Sequence, residues 1–204
     1  MNFSGINFCD TANGPGCRVS LFVSGCTNRC KGCFSTNTWD FDAGELFTRK
    51  QMKEILDKSA PGYIRGLSIL GGEPMHPKNS PIVLDIVNEY RERFGESKDI
   101  WIWTGYEFEY LYRPLLDSGG VTNEFIDRGY TDYPEWIVDK SIIDKTDVFV
   151  CGRFEEDKKD LTLPYRGSSN QYLVFSDRDK HPSEFCKTSD ATIIQKQIEK
   201  TGLG

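Results

Sequence analysis

No run of about 18 apolar residues occurs in the chain, which excludes an ordinary transmembrane helix. The first ten residues, MNFSGINFCD, lack a basic segment followed by an apolar one. No secretory signal is therefore expected, and the cytoplasm is the expected location. Positive charge is in deficit: 25 Lys and Arg face 31 Asp and Glu, for a net charge of -6 and a pI of about 5.1. That balance implies no broad basic surface and argues against nucleic acid as the main partner. Internal repeats are absent, and no second segment carries a core of its own. A disulfide framework is not indicated either. Seven cysteines is an odd number, and three of them crowd into eight residues, so metal binding is the better reading.

What is present suits a globular fold: 204 residues, 38% hydrophobic and 13% aromatic. The most informative stretch is RVSLFVSGCTNRCKGCF, residues 18–34. An apolar run at 19–23 reads as a buried first strand and opens, through Ser24-Gly25, into Cys26, Cys30 and Cys33. Before it, residues 1–17 read as turn-rich, with Asn13-Gly14-Pro15-Gly16 as a loop signal. That loop is either a plain surface turn or a place where glycine lets backbone approach a cofactor. Cys9 and Cys17, without partners at a fixed spacing, read as packed thiols.

Residues 48–58 carry helical spacing, with Thr48 and Gln51 as a capping box and Pro61-Gly62 as the stop. A second apolar run at 66–70 closes in Gly71-Gly72-Glu73-Pro74, and residues 81–94 form the next helix. DIWIW at 99–103 is a third strand, followed by Thr104-Gly105-Tyr106. Strand candidates follow at 146–150 and 172–175, with a solvated charged loop at 155–160 and a short helix near 191–200. Alternating strands and helices indicate βαβ units around a parallel sheet. The cysteine loop and the two glycine turns would then meet on the edge where such sheets bind ligands.

Three thiolates at C-x3-C-x2-C are good ligands for one compact metal centre. A zinc site would need a fourth ligand from Cys9, Cys17, Cys151, Cys186, His76 or His181. A 4Fe–4S cluster on three cysteines would keep one iron open for a substrate or cofactor. Ordinary thiols are the remaining alternative.

The spacing, the aromatic Phe34 beside the last cysteine and the motif Leu70-Gly71-Gly72-Glu73-Pro74 resemble the radical S-adenosylmethionine superfamily. Asn13-Gly14-Pro15-Gly16, SLFVSGC at 20–26, Thr38-Trp39, DIWIWTGY at 99–106 and RGSSNQ at 166–171 are similar to one branch of it. That branch activates the anaerobic (class III) ribonucleoside-triphosphate reductases. The resemblance covers most of residues 1–110 and about 146–172. Two departures stand out: Cys151-Gly152-Arg153-Phe154 replaces the usual Asp-Gly-(Arg/Lys)-Phe, and residues 117–145 and the tail are longer than usual. A fourth iron ligand at Cys151 would block the open site.

The resemblance implies an α/β fold, an incomplete TIM-like barrel, since about four strand–helix units cannot close eight strands. Residues 1–175 would form the radical S-adenosylmethionine domain, with an insertion around 117–145 and a polar C-terminal extension at 176–204. Cys26, Cys30 and Cys33 would ligate a 4Fe–4S cluster, and Gly32, Cys33, Phe34, Gly71, Gly72 and Glu73 would contact S-adenosyl-L-methionine, with Glu73 and its turn holding the amino group. Trp103, Thr104, Gly105 and Tyr106 would line the nucleoside side. An electron from a flavodoxin-like donor would split the cofactor into methionine and a 5′-deoxyadenosyl radical. That radical would take hydrogen from a glycine in the reductase's large subunit, with Tyr and Trp at 130–136 as candidate docking residues. Another glycyl-radical activase, a small-molecule radical enzyme and a non-enzymatic zinc-binding module are the alternatives.

Overall fold

The computed structural model describes residues 1–112, 140–177, 179–180, 184–200 and 202. The core of the expected insertion, its aromatics and His181 lie outside these residues.

Among the described residues the fold is α/β, organised on one open, eight-stranded mixed sheet. Its strands are β1 (Asn2–Asp10), β2 (Cys17–Val23), β3 (Glu45–Leu46), β4 (Ile64–Gly71), β5 (Asp99–Trp103), β6 (Val148–Cys151), β7 (Tyr172–Phe175) and β8 (Cys186–Thr188). They lie in the order β3-β1-β2-β4-β5-β6-β7-β8. The centre, β2-β4-β5-β6, is parallel, and the flanking pairs are antiparallel. The expected strands are all present, but β2 is not the first. Residues 2–10, expected in turns, form β1, where only Phe3 and Asp10 are buried and Ser4, Asn7 and Cys9 are exposed, as suits an edge-side strand that meets solvent.

The helices are α1 (Arg49–Ser59), α2 (Ser80–Phe94), α3 (Phe108–Tyr112), α4 (Lys140–Lys145) and α5 (Ala191–Lys200). α1 starts at the Thr48–Gln51 capping box expected from the sequence, and α2 has Pro81 in its first turn and ends at Gly95. Among the described residues no helix is long and apolar enough to cross a membrane.

The two faces of the sheet are covered differently. On one, Val19, Leu21, Val23, Leu67, Ile69, Ile100, Ile102 and Phe149 form a cluster with Met52 and Ile55 of α1, Val83, Ile86, Val87 and Tyr90 of α2, and Ile142 and Ile143 of α4. On the other, Trp101, Val148, Val150, Leu173 and Phe175 pack under Ile194 and Ile198 of α5. Burying each of these two isoleucines stabilises the fold by roughly 1.5–3 kcal/mol. The polar tail thus supplies a sheet strand and a helix to the second core, a role its composition hides.

Arg18 lies fully buried within the sheet. It donates Nε to Ser68 Oγ (2.7 Å) and Nη2 to the Leu67 carbonyl (2.9 Å), and it pairs with Asp99. Ser68 Oγ in turn donates to the Asn13 carbonyl (2.6 Å), tying the first loop to the sheet.

Cys9 and Cys17, expected as separate thiols, form a disulfide with Cα atoms 5.2 Å apart. The antiparallel register pairs Asp10 with Arg18, and that brings the two cysteines together across the hairpin.

Candidate metal and cofactor site

Parallel pairing puts the C-terminal ends of β2, β4, β5 and β6 on one edge, and the segments leaving those ends build the site. β2 runs into the cysteine loop, which is anchored by Gly25 N–H to the Thr38 carbonyl (2.7 Å) and Cys26 N–H to the Trp39 carbonyl (3.0 Å). Gly25 has φ of 96°, and a side chain there would run into the Phe41 ring.

Cys26, Cys30 and Cys33 are unpaired, half-buried thiols, and all three line a cavity of about 570 Å³. Burial, with Glu73 as the second cause, pushes the Cys26 thiol up to about 12. Burial and the neighbouring Cys33 also raise Cys30. Cys26 and Cys30 need positive charge nearby to ionise, which an iron cluster would supply. The Cys33 sulfur also accepts from the Ser35 N–H (3.4 Å), a contact of the kind that tunes cluster potentials. Among the described residues no three His, Cys, Asp or Glu side chains are gathered closely enough to hold a single metal ion. A 4Fe–4S cluster differs from such a site, since it takes one thiolate at each of three separate irons.

The Gly71-Gly72 turn lines the same cavity, but its glycines answer to the backbone at the end of β2. A Cβ at Gly71 (φ of 102°) would meet the Val23 carbonyl at 2.8 Å, and one at Gly72 would meet the Gly25 carbonyl at 2.6 Å. The ladder there continues past the strand ends, with Gly72 N–H donating to Val23 O and Glu73 N–H to Gly25 O, both at 2.8 Å.

Glu73 is 1% exposed and accepts from Thr104 Oγ1, the Gly105 N–H, the Met75 N–H and Asn28 Nδ2. Burial outweighs these donors and lifts its carboxyl to about 7. Tyr106 is buried beside it, and burial followed by the Glu73 and Cys26 charges raises its phenol.

The remaining expected contacts divide. Phe34, Trp103, Thr104 and Gly105 line the cavity, whereas Gly32 and Tyr106 do not. Gly32 (φ of 71°) sits against Glu156, whose carboxylate a Cβ would meet at 2.8 Å. Phe34 packs edge-on to Phe154, with centroids 5.1 Å apart. Ala12 and Asn13 of the first glycine loop reach the cavity, so that loop is more than a surface turn. Cys151 is fully buried in the helix-covered core and does not line the cavity.

Sequence reasoning used RGSSNQ only as a signature. In the fold it shapes the far wall: Gln171 Oε1 accepts from the Gly167 N–H (2.9 Å), Gln171 Nε2 donates to Gly152 O (2.9 Å), and Asn170 Nδ2 donates to Arg153 O (2.8 Å). Asn28 and Asn79 were missed as well. Little in their local sequence marks them, because Asn28 reaches Glu73, 45 residues away, and Asn79 reaches Ser24 and Gly25, 55 and 54 residues away.

A family model described as a 4Fe–4S single cluster domain matches residues 12–174. The chain is 36% identical over 173 residues to the anaerobic ribonucleoside-triphosphate reductase-activating protein of Enterobacteria phage T4, covering 85% of this chain and 93% of that one. It is 35% identical over 175 residues to the protein of the same name from Escherichia coli (strain K12), covering 85% and 97%. The corresponding protein of Pasteurella multocida (strain Pm70) is 34% identical over 175 residues, covering 85% and 96%. With a matching cluster domain and relatives of this identity and coverage, the chain belongs to the family of anaerobic ribonucleoside-triphosphate reductase-activating proteins.

Proposed function

We propose that this protein activates an anaerobic ribonucleoside-triphosphate reductase by installing a glycyl radical on its large subunit, as a radical S-adenosylmethionine enzyme. The observation that carries this reading is the set of three unpaired thiols facing one cavity with the turn after β4, in a chain of this family. Cys26, Cys30 and Cys33 would hold the 4Fe–4S cluster. Gly71, Gly72, Cys33 and Phe34 would border S-adenosylmethionine, and Trp103, Thr104 and Gly105 would close the nucleoside side. Gly32 would act through the backbone of the cysteine loop.

When bound, cluster and cofactor supply a one-electron reductive cleavage whose radical product takes a hydrogen atom from the partner's glycine. The chain's own part is to exclude water and fix geometry. The Phe34–Phe154 pair, Trp103 and Leu163 give the cavity apolar walls, and a dry site protects a reactive radical from side reactions. We read the open sheet as the incomplete barrel of this superfamily, its open side admitting a polypeptide loop. We place the protein in the cytoplasm, drawing electrons from a flavodoxin-like donor.

Anaerobic reconstitution tests the reading. The protein should turn brown with about four irons per chain and form 5′-deoxyadenosine on reduction. Mixed with the reductase, it should give a glycyl-radical signal in electron paramagnetic resonance. A colourless protein holding one zinc would end the enzyme reading. An active cluster that raises no radical on the reductase would point to another activase.

A further inference from the structure

Two large apolar side chains that the fold leaves exposed, Phe34 at 60% and Leu161 at 72%, both line the cavity. Scattered apolar residues on a surface are ordinary, but two on the rim of one cavity mark a place that something covers. They are joined: Lys159 lies over the Phe34 ring, 5.0 Å from its centroid, and a Cβ at Gly167 would meet that ring at 2.9 Å.

Leu161 is held on the rim by a braced arm between β6 and β7. An antiparallel bridge from Lys159 to Ser168 closes the arm. The Asp160 N–H donates to the Gly167 carbonyl (3.1 Å) and the Ser169 N–H to the Lys158 carbonyl (2.9 Å). At the tip, Asp160 Oδ1 accepts from the Thr162 N–H (2.9 Å) and Thr162 Oγ1 (2.7 Å). Trp103 Nε1 holds the other limb by donating to the Tyr165 carbonyl (2.9 Å). Tyr165 has φ of 60°, a left-handed conformation that residues other than glycine rarely adopt. Such strain persists where the surroundings over-determine it, and it gathers at functional sites.

At the base of the arm, Arg166 lines the same cavity and is 8% exposed. Its Nη2 donates to the Ser189 carbonyl, while Nε and Nη1, both buried, have no hydrogen-bond partner among the described residues. A guanidinium carries five N–H groups and no acceptor, and buried donors left unmatched cost stability.

We propose that this arm recognises the polypeptide that brings the reactive glycine, with Leu161 gripping an apolar residue at the rim and Arg166 turning to a backbone carbonyl inside. The proposal rests on the activase reading above. A hydrogen atom is transferred only between groups in contact, so the glycine must enter the cavity and its neighbours must cross the rim. Glycine has no side chain to read, so selection falls on the backbone and on the flanking residues. An exposed leucine and a buried cation with free donors suit those two tasks.

Three measurements on the full chain test this. With the reconstituted protein reduced by dithionite, 5′-deoxyadenosine is measured without the reductase, and the glycyl radical is measured at rising reductase concentration. With the metal-free chain, surface plasmon resonance measures binding to the reductase. Leu161→Asp and Arg166→Gln should each weaken that binding by about tenfold. They should raise the reductase concentration for half-maximal radical yield by the same factor, about tenfold, and leave the saturating rate within about twofold. Arg166→Lys keeps the charge but not the fork, and should lose only about threefold. Deoxyadenosine formed without the reductase should stay within about twofold in all three variants.

Wild-type affinity for the reductase in Leu161→Asp overturns the proposal. So does a loss of deoxyadenosine formation, without the reductase, as large as the loss of radical, because the arm would then serve the cofactor. Normal binding to the reductase with slower cluster reduction by a flavodoxin-like donor would make the rim the donor's dock and overturns it too. Should Arg166→Gln fail to fold, Arg166→Lys and Leu161→Asp carry the test with the same reading. A wild-type protein that forms deoxyadenosine yet neither binds the reductase nor raises its radical sinks the activase reading and the proposal together. Variants that leave an existing wild-type affinity intact sink the proposal alone.

Discussion

The two ends of β2 carry the same side chain in opposite chemical states. At its start, Cys17 is tied to Cys9 across an antiparallel hairpin. Beyond its end, Cys26, Cys30 and Cys33 stay free and face a cavity. Backbone pairing makes the difference. Two adjacent strands hold Cys9 and Cys17 within reach of each other, whereas the cysteine loop spreads its thiols along a turn pinned from outside by Thr38, Trp39 and Asn79. One end ties a hairpin together, and the other is the proposed cluster site.

That division can be broken experimentally, starting with the largest effect. Replacing Cys26, Cys30 or Cys33 by Ala should cut bound iron and 5′-deoxyadenosine formation by more than about 100-fold, beyond what loss of a metal's outer-shell partner costs. The unfolding midpoint of the metal-free chain should move by no more than about 4 °C. Iron assay, product chromatography and thermal melts check the three quantities. A large loss of stability would show that the free thiols also hold the fold.

Next comes the buried Arg18 beside the disulfide. Asp99→Ala removes its charge partner and should cost about 3–5 kcal/mol in denaturant titration, while the cysteine loop still takes up iron. Iron uptake lost in proportion to stability would mean that the two ends are coupled.

At the cavity end, Glu73 gives a pH signature. Its folded pKa of about 7 lies above the ordinary 4.5, so the folded state binds more protons in that interval. The stability this provides is present below about pH 4.5 and is lost as pH rises to about 7. The metal-free chain should lose on the order of 3 kcal/mol across that window, and Glu73→Gln should flatten the slope. A rise in stability over the same window would contradict the burial that the fold assigns to this carboxyl.

The smallest effect belongs to the disulfide. With the cysteines eight positions apart, Cys9→Ser or Cys17→Ser should lower stability by about 2.5 kcal/mol under oxidising conditions and by far less in reductant. Iron content should not change. Loss of iron in Cys9→Ser would show that the hairpin loop, through Ala12 and Asn13, supports the cavity.

Much of the site was legible before the fold. Cys26, Cys30 and Cys33 stood out because thiols crowded in a polar loop suit a metal better than a core. The strands β2, β4 and β5 stood out because each is buried on both faces and reads as a nearly continuous apolar run. β1 failed that test, since it meets solvent and carries Ser4, Gly5 and Asn7. α5 was visible as a helix, but its two-residue apolar contact, Ile194 and Ile198, does not say which core it joins.

Local order was therefore written along the chain. Neighbouring residues alone determine helix and strand periodicity, the Thr48 cap and the spacing of the three proposed ligands. The tertiary structure alone decided what depends on strand pairing and distant partners: the Cys9–Cys17 bond, the Thr104, Gly105 and Asn28 donors around Glu73 and the placing of α5 on the second core. Contacts of that kind arise when strand register brings distant backbones together. Register is set by the whole sheet, and no single segment carries it.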